Sequence, residues 1–135
     1  MRRMLAICAA TTVLLAGCND NDTTGPAQNA VSGTWSLTTV NGAGLPFLMQ
    51  STPKIELTSE QLVVSVNGTF TQTSQVRTTN GGNVTNETRS DAGTYSLNGT
   101  EAAFIFNGGT TGAGTVSGNT LTVAQPGRSF VYQKQ

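Results

Sequence analysis

The sequence predicts an all-β domain, a small up-and-down antiparallel β-barrel of about 8–10 short strands. Three observations carry that expectation. Turn pairs recur at Asn41-Gly42, Asn67-Gly68, Asn80-Gly81, Asn98-Gly99, Asn107-Gly108 and Gly118-Asn119. Asn-Gly favours hairpins because a type I′ turn needs positive φ at both central residues. The runs between these pairs have strand length and alternate apolar with polar side chains. No stretch after Ser32 keeps a helical period bounded by caps.

In chain order, the first element is not part of the barrel. Arg2 and Arg3 precede an apolar run from Met4 to Ala16, broken only by Thr11 and Thr12. A basic start, a short apolar run and small residues at its end are the layout of a secretory signal peptide, expected over residues 1–17. The run falls short of the roughly 20 apolar residues a membrane-spanning helix needs. Leu15, Ala16, Gly17 and Cys18 resemble the lipobox of bacterial lipoproteins. That resemblance implies cleavage before Cys18, diacylglycerol on its sulfur and an acylated amino terminus, with Cys8 leaving in the signal peptide. Two or more acyl chains anchor stably, at about 0.8 kcal/mol per buried methylene. Asn19, where an Asp would favour inner-membrane retention, implies the outer membrane. Residues 18–32 continue as "CNDNDTTGPAQNAVS", without apolar periodicity, and read as a flexible tether with a coil span of roughly 20 Å.

Residues 33–135 form the expected barrel domain. Its strands are read at 33–40, 54–57, 61–66, 69–78, 84–89, 93–97, 102–106, 112–117, 120–124 and 128–133. Residues 41–53, "NGAGLPFLMQSTP", are a long and unusually apolar loop placed as a lid or mouth. Alternation puts Trp35, Leu37 and Thr39 on one face of the first strand, and Leu62, Val64 and Val66 together on another. Phe70 follows across a turn, and Tyr95/Leu97, Phe104/Phe106, Leu121/Val123 and Phe130/Tyr132 form further inward pairs. Consecutive strands in a meander leave two open edges, and closure into a barrel removes both.

The segment "GTWSL" resembles the Gly-x-Trp signature on the first strand of lipocalins and other calycins, and residues 93–123 are similar to the closing hairpins of small bacterial lipocalin-like lipoproteins. The META domain also opens on a Trp-x-Leu strand and an "NG" turn, but its later Gly-Cys-Asn is found here only at the lipobox. The lipocalin resemblance implies a barrel end closed by Gly33, Trp35 and a basic residue from the last strand, for which Arg128 is the candidate. A guanidinium over an indole gains about 0.5–2 kcal/mol. It also implies an interior for a small apolar ligand, lined by Leu37, Phe47, Leu62, Val64, Phe70, Tyr95, Phe104, Phe106, Phe130 and Tyr132. The competing expectation is a side-chain-filled barrel serving as a structural or protein-interaction module of the envelope.

Composition excludes several chemistries. The chain has no histidine, which removes His-based triads and His metal sites. Glu56, Glu60, Glu87, Asp91 and Glu101 read as solvated surface groups, so no catalytic residue, metal or cofactor is expected and the protein is not read as an enzyme. From Cys18 onward the net charge is −2 with no basic stripe, which argues against nucleic acid. The expected state is a monomer whose partners are the membrane and a small apolar molecule.

Overall fold

The computed structural model describes residues 30–135. The expected signal peptide, Cys18 and residues 19–29 of the tether lie outside the described residues. Ten strands follow in chain order: β1 Gly33–Val40, β2 Ala43–Gly44, β3 Phe47–Ser51, β4 Lys54–Val64, β5 Thr69–Asn80, β6 Asn83–Asn98, β7 Glu101–Phe106, β8 Thr111–Ser117, β9 Thr120–Gln125 and β10 Arg128–Lys134. Each strand from β4 to β9 pairs with its successor, β10 returns to β1, and β1 pairs with β4. Every pairing is antiparallel, so eight strands close a barrel, and β2 and β3 lie outside the circuit.

The strand total agrees with the sequence reading for the wrong reasons. The two segments expected at 54–57 and 61–66 are one strand, β4, with a bulge between Leu57 and Ser59 where its register to β5 slips. Val66 lies beyond its end and is exposed. The segments expected at 84–89 and 93–97 are one strand as well, the sixteen-residue β6. The two extra strands come from the apolar loop, which supplies β2 and β3. A second bulge, between Leu37 and Thr39, corrects the inward face of β1: Val40, not Thr39, is buried beside Trp35 and Leu37. At that bulge the Thr38 hydroxyl donates to the Val131 carbonyl (2.8 Å). One extra residue in a strand reverses the inside–outside alternation beyond it.

The seam between β1 and β4 closes at one end only. Gly33 faces Val64, and pairing runs to Ser36 opposite Gln61. Beyond that the strands part. The end of β1 pairs with β2, and the start of β4 pairs with β3. The first half of β6 also runs past the barrel wall. It pairs with β5 along its whole length, but with β7 only from Gly93 to Asn98.

These pairings arrange the interior in layers. At the closed end Trp35, Val64, Phe70, Tyr95, Phe104 and Phe106 are buried. Phe70 meets Phe104 edge-on at 5.3 Å and Phe106 at 4.9 Å between ring centroids, pairs worth about 0.5–1.5 kcal/mol each beyond their buried area. Gly93 exists for this packing, since a Cβ there would lie 2.8 Å from the Phe70 ring and 2.0 Å from the Ile105 carbonyl oxygen. The next layer is polar: Glu60 from β4, Gln72 and Ser74 from β5, and Tyr132 from β10. The layer at the open end is apolar again, with Val40, Leu57, Val76 and Phe130.

Candidate functional site

The sealed end is built from the start of the described chain. Trp35 is fully buried, and its indole N–H donates to the Val31 carbonyl (2.7 Å). Val31 is itself fully buried. The cation over the indole is Lys134, with Nζ 5.2 Å from the ring centroid and donating to the Ala30 carbonyl (3.3 Å). This corrects the assignment of Arg128. Antiparallel pairing sets Trp35, early on β1, opposite Lys134, late on β10, whereas Phe130 already faces Val40. Six residues of strand place Arg128 roughly 20 Å from that position, at the other end of the barrel. Gly33 has φ +127°, and a Cβ on it would lie 2.9 Å from Lys134 Cε. The positive φ favours glycine there, and the lysine side chain passes over it.

At the open end the barrel holds a cavity of about 180 Å³. Its walls are Val40, Leu57, Val76 and Phe130, Phe47 and Met49 of β3 close one side, Gln125 and Arg128 stand at its rim, and Arg89, paired across the strands with Ser74, borders it at the level of the floor. Glu60, Gln72 and Ser74 form its polar floor. An apolar cavity of roughly 150 Å³ accepts benzene, whereas drug-sized ligands occupy about 300–1,000 Å³. The space therefore suits one ring, not a long acyl chain. A shallower depression follows the open seam past Ser36, Leu37, Ser59 and Gln61 and also reaches Glu60. A wider depression on the outer face of β7 and β8 has no buried charged or polar side chain, and Ile105 on it is 55% exposed.

Glu60 is the distinctive group. It is only 8% exposed. Its Oε1 accepts from the Tyr132 hydroxyl (2.5 Å) and from Gln72 Nε2 (2.7 Å), and its Oε2 accepts from the Ser74 hydroxyl (2.7 Å). The ion pairs among the described residues are Lys54–Glu56, Arg77–Glu56 and Arg89–Glu87, so Glu60 is held by neutral donors alone. Burial, and then the adjacent Glu60 carboxylate, push the Tyr132 phenol far above its ordinary value. Both effects penalise a phenolate, so this hydroxyl remains a donor.

Two carboxylates read as solvated thus prove covered. Glu60 points into the barrel. Glu56 is 7% exposed and clasped by Lys54 (2.8 Å) and Arg77 (2.8 Å). Hydrogen bonds from Lys54 and then Arg77 hold its carboxyl below the usual range. The alternation Glu60, Leu62, Val64 was the available signal for Glu60, and the turn expected between residues 57 and 61 concealed it.

Of the residues expected to line a ligand, Phe47 and Phe130 border the cavity. Tyr132 lies beneath the cavity as a donor to Glu60. Leu37, Leu62, Val64, Phe70, Tyr95, Phe104 and Phe106 belong to the hydrophobic core and are not part of the cavity wall. Aromatic rings that promise a pocket in a sequence here fill the sealed half. The residues that reading missed are Val40, Leu57, Val76 and the polar floor, while Met49 lies in the loop expected to form the mouth. Among the described residues no three His, Cys, Asp or Glu side chains group as a metal site.

A family model described as a lipocalin-like domain matches residues 31–123. No curated protein and no solved structure matches the chain.

Proposed function

Since the chain belongs to the lipocalin-like domain family, we propose that it is a lipid-anchored envelope lipoprotein whose barrel binds a small, largely apolar ligand at its open end. The observation that carries this reading is the cavity between Leu57, Val76 and Phe130, partly covered by Phe47 and Met49. A barrel serving only as a rigid module has no use for an apolar cavity above a polar floor. The filled sealed half limits the ligand to about one ring and supplies the stability that an unfilled half forgoes. The role is carriage or sensing, not catalysis. The anchoring part rests on the resemblance of Leu15–Cys18 to a lipobox, and the outer-membrane part on Asn19 after it.

Two experiments test the two parts. A ligand saturating the site at 100 times its Kd stabilises the fold by about 2.7 kcal/mol, equivalent to roughly 10–20 °C in Tm for a domain of this size. A thermal-shift screen of single-ring compounds should find such ligands, and Leu57→Trp, which fills the cavity, should abolish the response. Unchanged Tm with every compound would refute the binding reading. Mass spectrometry of the membrane-extracted protein should show a diacylglyceryl group on Cys18. Cys18→Ser should release the protein from the membrane, and an unmodified Cys18 would refute the anchor.

A further inference from the structure

We propose that the ligand carries a primary ammonium group, which the cavity receives on the Glu60 carboxylate. The inference rests on the cavity being the binding site. A carboxylate offers about four acceptor positions, and Tyr132, Gln72 and Ser74 fill three of them. The fourth belongs to a side chain that lines the cavity. Buried charges are ordinarily paired with an opposite charge, and Glu60 has no cation among the described residues. An ammonium ion meets both needs at once, as a donor and as the missing countercharge. Its apolar body then lies against Leu57, Val76 and Phe130.

Two arginines border the same cavity and pull the other way, and magnitudes decide. Arg89 is already paired with Glu87 (3.0 Å), and its side chain is 51% exposed. Arg128 stands at the mouth, only partly buried. Exposed charges of this kind contribute little through solvent, while a charge-assisted hydrogen bond at a buried site is roughly twice as strong as a neutral one. Glu60 governs the choice of head group.

The test is a head-group series on one ring: toluene, benzyl alcohol, benzylamine and benzoate, titrated calorimetrically into the purified protein. Benzylamine should bind at least about tenfold more tightly than toluene, with benzyl alcohol between them and benzoate weakest. In Glu60→Gln, benzylamine should lose its advantage over toluene. Equal affinity for toluene and benzylamine, or tightest binding of benzoate, overturns the ammonium assignment and leaves the cavity as a binding site. So does a folded Glu60→Gln that keeps its preference for benzylamine. Failure of all four compounds sinks both readings. The series on the unaltered protein decides the matter even where the variant does not fold.

Discussion

Tyr132→Phe removes one oxygen atom and shows how the polar floor is held. In the folded protein the Tyr132 hydroxyl donates to Glu60 at 2.5 Å. A hydrogen bond to a charged group contributes about 1.5–3 kcal/mol, and the phenyl ring keeps the shape of the core. Near neutral pH the variant should therefore be less stable by about 1.5–3 kcal/mol, or roughly 6–20 °C in Tm. The difference should not persist at high pH. The folded phenol is shifted upward by burial and by Glu60, while the unfolded phenol titrates near pH 10. Above that pH the unfolded chain binds fewer protons than the native one, so wild-type stability falls by about 1.4 kcal/mol per pH unit for this group. Below it the contribution is fully present. The variant lacks that loss, and the two proteins should become equally stable at about pH 11–12. Tyr95, also raised by burial, is common to both and cancels. Urea unfolding across the alkaline range measures the difference, and tyrosinate absorbance reports titration directly. A pH-independent difference, or folded protein whose two tyrosines both ionise near pH 10, would refute the assignment.

Other expectations follow from the same geometry. Gly93→Ala places a methyl group against the Ile105 carbonyl and the Phe70 ring. It should cost about 1–3 kcal/mol or more in chemical denaturation. Phe70→Ala should cost about 3–5 kcal/mol, and a cycle with Phe104→Ala should show coupling of about 0.5–1.5 kcal/mol. Lys134→Ala should red-shift Trp35 emission and cost about 0.5–2 kcal/mol, whereas Arg128→Ala should leave that emission unchanged. Glu56 is depressed in the folded state, so its contribution is present above its unfolded value and is lost as pH falls. Glu56→Gln should flatten the acid limb of the stability profile below about pH 4.3.

Much of this fold is legible in the chain because turns and alternation are local properties. The first strand, 33–40, is read to the residue because Asn41-Gly42 ends it, with φ of 51° and 79°. Bulges are not local in that sense. Those near Thr38 and Thr58 depend on what the neighbouring strand offers, and each moves the inward face by one residue. The second made one strand look like two and hid Glu60. The closing cation was legible through topology alone: antiparallel neighbours oppose early and late residues, which selects Lys134 over Arg128. The division of the interior into a filled and a vacant half was not legible. It depends on which rings pack over Gly93 and Gly114 and on where the β1–β4 seam parts.

The described chain enters the barrel beside its plug: Ala30 accepts from Lys134 and Val31 from Trp35. The described chain therefore begins at the base of the vessel. If the proposed acyl anchor is the handle, it is tied to the end opposite the mouth, and the flexible tether expected from the sequence leaves that mouth free to face away from the bilayer. Cargo would then arrive from the aqueous side and not from between the lipids.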